Sequence, residues 1–198
     1  TGGKTILLAC LCAGISVIFC IMLHSFGKVF KTFSSNPYER VFFGGTVILC
    51  ITLILGTTRY SGTGIEVIAS AIGGTARNSD FFWKMLFTAI TLACGYKGGE
   101  IIPSFFVGAT FGCVIAPILG LSSSLGAAIG MVSVFCGVTN CPIASLLIAL
   151  ELFGKAPILY FLLAIAISYM LSGYYSLYKT QIIAVSKYKN EYVDKKTH

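Results

Sequence analysis

The chain has 198 residues, of which 56% are apolar and 11% charged, with a formal net charge of +7. A soluble domain of this size carries about 25% charged residues, so this composition, with a mean hydropathy of +0.88, excludes an ordinary soluble protein and belongs in a bilayer. The basic residues lie between and after the apolar runs, with no basic patch interleaved with stacking aromatics, which excludes a nucleic-acid footprint.

The first apolar run, Thr5 to His24, continues to about Lys31 as one long helix. It is too long for a secretory signal and lacks a small-residue cleavage site with polar sequence behind it. The chain opens mid-pattern at Thr1 without a methionine, so a piece of a longer protein is expected. Ser34-Ser35-Asn36-Pro37 reads as a turn, and Tyr38-Glu39-Arg40 leads into a second helix ending near Gly56. Thr57 to Gly64 is a glycine-rich break, followed by a short helix from Ile65 to about Ala71 with Glu66 as an acid at its start. Gly73 to Asp80 is a polar loop, and Phe81 to Cys94 a helix. Trp83 and Lys84 near its start suit an aromatic belt and a snorkelling lysine.

A second glycine-rich break, Gly95 to Gly99, precedes a helix that runs to Leu121 with Pro103 in its opening turn. Glycine tolerates φ > 0 and proline is favoured in a first turn, so this pattern ends one helix and starts another. Gly108 and Gly112 form a small-xxx-small pair that permits close backbone approach. Ser122-Ser123-Ser124 is a turn, Leu125 to Phe135 a helix, and Cys136 to Pro142 a third interruption. Ile143 to Phe153 and Ile158 to Leu171 are the last apolar helices, and Tyr174 to Lys187 is expected as a mixed polar and aromatic helix. The sum is about nine helical pieces and no persuasive strand. The fold class expected is an all-α polytopic membrane protein with tilted, short and broken helices, the usual build of transporters and channels.

Chemistry concentrates at the second break. A helix that starts there presents backbone N–H groups with no internal acceptor, at the positive end of its dipole. At bilayer depth such groups need a partner, and an anion is the natural one. The eight cysteines lie in or beside apolar runs and are expected as small hydrophobes, without a disulfide framework. Cys136 and Cys141, with four residues between them and no histidine nearby, read as packing rather than a metal pair. No metal site or cofactor is expected. His24 reads as an interfacial histidine, and Glu151 as a structural acid bonded to neighbouring helix ends.

Three stretches carry a resemblance. Gly98-Gly99-Glu100-Ile101-Ile102-Pro103 looks like the GxFxP motif of the CLC family of chloride channels and chloride/proton exchangers. Cys141-Pro142-Ile143-Ala144-Ser145-Leu146-Leu147 and its continuation to Glu151 is similar to that family's APLTxIxxxxE stretch, and Gly173-Tyr174-Tyr175-Ser176-Leu177-Tyr178 resembles the start of its last membrane helix. Ser61-Gly62-Thr63-Gly64-Ile65 sits where the family has another short-helix start. The resemblance implies the second of two inverted halves of a membrane domain over residues 1–178, with 179–198 as a C-terminal tail; the first-half motifs GSGIP and GxEGP are absent. It further implies halide transport, with chloride as the transported ion, a homodimer, and an anion held by the backbone around Gly99, Glu100, Ile101 and Ile102 and by the Tyr178 hydroxyl. Glu100 stands where the family carries an apolar residue and Ile101 where phenylalanine is typical; glycine-glycine-glutamate also occurs in fluoride-exporting relatives, so the halide stays open.

The expected setting is a bacterial plasma membrane. Lys28, Lys31 and Arg40 of the first linker, and Lys179, Lys187, Lys189, Lys195 and Lys196 of the tail, put both on the cytoplasmic side. A membrane enzyme is disfavoured, since there is no GxSxG, no HExxH, and only two histidines, one of them the terminal His198. A secondary transporter of another solute would share the broken helices and stays as the rival.

Overall fold

A computed structural model describes residues 2–33, 36–178, 180–187 and 191–197. Among these residues the chain forms α1 (Gly2–Phe33), α2 (Pro37–Leu55), α3 (Ile65–Ile72), α4 (Asp80–Ala93), α5 (Ile101–Ile118), α6 (Ser123–Thr139), α7 (Pro142–Phe153) and α8 (Ile158–Leu171), then β1 (Ile182–Val185) and β2 (Tyr192–Lys196). By length and composition, three helices could cross a membrane: residues 2–32, Pro37–Leu55 and Ile101–Ile118. α6, α7 and α8 are apolar but shorter, and α3 has 8 residues. The expected mixture of long and short helices is what forms.

Leu8, Cys12, Ile15, Phe19 and Leu23 recur at steps of three and four, so they share one face of α1, and all are buried. That face packs on α4, α6 and α8. α2 is the opposite case. Its apolar residues point all round the helix, and Gly44 is its one fully buried residue; a helix so patterned is stable where its surroundings are lipid.

The tightest pairing is α5 with α6. Gly108 and Gly112 of α5 meet Gly130 and Gly126 of α6, and a Cβ at Gly108 would lie 2.5 Å from the Gly130 carbonyl oxygen. Helices in lipid lack a hydrophobic drive to associate, so close backbone approach and dispersion carry the contact. α6 is consequently buried without interruption from Gly126 to Thr139.

Three expectations fail, the first being the sum of nine helical pieces and no strand: among the described residues eight helices and a two-stranded sheet form. α6 does not stop at Phe135 but runs to Thr139, where Asn140 closes it in the left-handed region at φ 57°. Gly137, read as a breaker, is a contact point: a Cβ there would collide with Ser16 and Ser168. Nor does a helix form over residues 174–187. Gly173 turns at φ +58°, and the Leu177 amide donates to Val138 O (2.9 Å) at the end of α6 rather than to a carbonyl four residues back. Beyond it, β1 and β2 pair antiparallel, with Ile182 opposite Lys196 and Ile183 opposite Lys195. β-branched residues in β1 favour that extended form over a helix.

Gly112→Ala is expected to force α5 off α6, since its Cβ would collide with Gly126; overpacking of this kind costs about 1–3 kcal/mol. Gly14→Ala, on α1 with open space around it, should be neutral or mildly stabilising. Thermal unfolding of both variants in detergent checks the contrast.

Candidate functional site

The glycine break after α4 is held from two sides. Gly95 N–H donates to Leu92 O (3.2 Å) and Tyr96 N–H to Thr91 O (3.3 Å), closing α4 while Gly95 takes φ +99°. From outside, α2 presses its Gly44–Gly45 pair onto the break. A Cβ at Gly44 would collide with Cys94, and the Tyr96 hydroxyl donates to Val41 O at 3.1 Å. The chain then passes Gly98 and Gly99 and enters α5, with Pro103 in the first turn. The first amide satisfied across the start of α5 is that of Ser104, donated to Glu100 O (3.2 Å). The amides of Ile101 and Ile102 precede it and have no helical acceptor. Glu100, an acid expected at the helix start as a dipole partner or cap, stands at the N-cap position but makes no side-chain capping bond.

Tyr178 comes to the same place by another route. The segment carrying it is tied to the C-terminal end of α6. Asn140 Nδ2 donates to Tyr175 O (2.9 Å) and Gln181 Nε2 to Thr139 O (3.0 Å). Ser176 Oγ donates to Gln181 Oε1 (2.6 Å), and Thr197 Oγ1 to Tyr178 O (2.7 Å). Lys187 braces it further: its ammonium donates to Tyr169 O (2.8 Å), to Ser172 Oγ (3.2 Å) and to Asn140 Oδ1. Burial pulls that ammonium down to about 8 from the 10.5 of an open lysine.

Gly99, Glu100, Ile101, Ile102 and Tyr178 line one cavity of about 910 Å³ together with Gly98. All five residues of the expected site therefore share one space. The neighbouring tyrosines do not join it: the Tyr174 hydroxyl pairs with Ser186 Oγ (3.0 Å), and Tyr175 packs against the core. The cavity also has a wall that the sequence reading missed, formed by Leu23, His24, Gly27 and Lys31 of α1. Residues 24, 27 and 31 lie on one helix face by spacing alone, which was the available signal.

Other expectations resolve differently. Glu66 is exposed in the first turn of α3, as read. Glu151 is exposed on α7 rather than drawn against other helix ends. The eight cysteines are free, with Cys136 buried and Cys141 exposed. Among the described residues no group of three or more His, Cys, Asp or Glu could hold a metal. Lys84 does not snorkel: it is 3% exposed. It points inward because the loop between α2 and α3 folds over the start of α4. Asp80, fully buried, accepts from Tyr60 Oη (2.7 Å), Arg59 Nη2 (3.0 Å) and the Arg77 amide (3.2 Å), which pins that loop down.

The sequence matches the family described as voltage gated chloride channel over residues 3–173. A chloride/fluoride channel protein of Pseudomonas syringae pv. tomato is 34% identical over 178 residues, covering 87% of this chain and 39% of that protein. An uncharacterized protein of Methanocaldococcus jannaschii is 23% identical over 150 residues, covering 71% of this chain and 38% of that protein. The crystal structure of a CLC-type fluoride/proton antiporter superposes with a TM-score of 0.85 at 29% identity, over 88% of this chain and 45% of that one. The chain spans about two-fifths of the length of these curated relatives.

Asn140→Ala removes two side-chain hydrogen bonds and puts a Cβ-bearing residue without a polar side chain at positive φ, at a cost of about 2 kcal/mol. The segment carrying Tyr178 should then open more readily, and hydrogen exchange at the Leu177 amide should accelerate by well over tenfold. The amides of α5 serve as the internal reference.

Proposed function

The chain belongs to the voltage-gated chloride channel family, and from that premise we propose that it is the second half of the membrane domain of a halide transporter. The transported ion is chloride. It binds in the cavity at the start of α5, where the amides around Gly99, Glu100, Ile101 and Ile102 and the Tyr178 hydroxyl donate to it. The observation that carries this reading is the convergence of an interrupted helix start and one particular tyrosine, 75 or more residues apart in the chain, on a single cavity. Neutral dipoles suit the task. Amide and phenol donors replace the ion's hydration and still release it.

Fluoride, with protons moving the other way, is the second reading. Glu100 favours it: the carboxyl group stands at the cavity wall without capping its own helix, and as a carboxylate it repels an anion that its protonated form would tolerate. The similarity to a chloride/fluoride channel protein and to a fluoride/proton antiporter supports this reading. The first half of the domain completes the pathway. A second copy covers the outer faces of α7 and α8, where Ile143 and Leu159 are each 75% exposed. The protein sits in the plasma membrane with its tail in the cytoplasm.

Liposomes holding the full-length protein should release chloride, or fluoride on the second reading; release of neither would hand the site to another solute. Tyr178→Ala should depress halide transport more than Tyr174→Ala, and equal effects would remove the tyrosine from the site. Ile101→Pro deletes one donor amide. Hydrogen bonds to charged groups contribute about 1.5–3 kcal/mol, so halide affinity measured by calorimetry should fall by about tenfold to a hundredfold. An unchanged affinity would refute the backbone-donor role.

A further inference from the structure

Lys84 reaches from α4 into the loop that joins α2 to α3. Its ammonium donates to Tyr60 O (3.2 Å) and Gly62 O (2.5 Å) and stands 5.1 Å from the centre of the Phe106 ring. All three partners are electrically neutral. An ammonium has three N–H donors, and the two carbonyls engage two of them. The nearest acid along α4, Asp80, is already committed to Arg59, Tyr60 and the Arg77 amide. The Lys84 side chain thus lies in the interior with no carboxylate in salt-bridge range among the described residues. A positive charge there is costly to bury unless a counter-charge accompanies it.

Beside it is room for one. Lys84, Ser61, Gly62, Gly98 and Gly99 line a second cavity of about 120 Å³. A water molecule needs only about 10–15 Å³ of such space, so there is room for a small ion with part of its hydration. The same two glycines, Gly98 and Gly99, also line the larger cavity that contains Tyr178. The two spaces therefore share a wall, and that wall is the turn whose flexibility the second glycine break provides.

We propose that Lys84 holds a second anion station, for a small monovalent anion of the halide class, between the two glycine-rich breaks. Its ammonium supplies the counter-charge that the neutral donors of the first site lack, so it concentrates halide next to the turn that leads into α5. The inference rests on the halide reading of the larger cavity, and its test separates the two.

Crystals of the full-length protein grown in bromide provide the measurement, since bromide is a halide visible by anomalous scattering. Two peaks are expected, one in the Tyr178 cavity and one within hydrogen-bonding reach of Lys84 Nζ. Lys84→Gln, which keeps an amide donor for the loop carbonyls but removes the charge, should lose the second peak and keep the first; Lys84→Arg should keep both. A single wild-type peak beside Tyr178 overturns the Lys84 station and leaves the first site standing. No peak in either cavity overturns both. A second peak that survives in Lys84→Gln shows that the ammonium does not hold the ion. Because the wild-type map alone can refute the station, a Lys84→Gln variant that failed to fold would not protect it.

Discussion

The contact of bare backbone between α5 and α6 is the constraint on which the site depends. Gly108 and Gly112 face Gly130 and Gly126 with no side chain between them, and the rings of Phe105 and Phe135 pack nearby, tilted, with their centres 4.8 Å apart. α5 begins at the glycine break, and α6 ends at the residues that hold the Tyr178 segment. Fusing the two helices therefore fixes an amide turn and a phenol relative to each other, although neither touches the fused region. Larger residues would widen the pair, and the two halves of the donor set would drift apart while each helix stayed intact.

Around this scaffold the polar groups follow one rule. Where a charge is buried, uncharged oxygen atoms surround it: Lys84 lies against loop carbonyls, and Lys187 against a carbonyl, a hydroxyl and an amide oxygen. Asp80 is the exception with a guanidinium partner, and that pair fastens a loop. The cavity at α5 is lined by amides, a phenol and apolar surface, with Lys31, His24 and Glu100 as its ionisable groups. A site arranged this way can draw an anion in by its surroundings while leaving the contact itself to dipoles.

Much of this was legible in the residues. Local signals place the helix ends: Pro37 and Gly56 bracket α2, the Gly95–Gly99 stretch ends α4, and Pro103 opens α5, because turn and cap chemistry is written within a few positions. Tyr178 was separable from Tyr174 and Tyr175 only through a family resemblance; spacing alone could not choose among them. What failed depended on distant partners. Gly137 looks like a breaker until Ser16 and Ser168 are known to press on it. The residues after Gly173 look helical until the end of α6 offers them acceptors. Lys84 looks interfacial until the Thr57–Gly64 loop is seen to fold over it. In each case tertiary bonding outweighed local preference.

The sparse attachment of α2 has a mechanical consequence. Its 19 residues make a rod about 28 Å long, close to the thickness of a bilayer's hydrocarbon layer. A thicker or thinner membrane would tilt that rod, because so little of its surface is anchored to the rest of the chain. Its one fully buried residue bears on Cys94, at the mouth of the turn into α5. Any tilt of α2 therefore bears, through Gly44 and Cys94, on the turn that leads into α5.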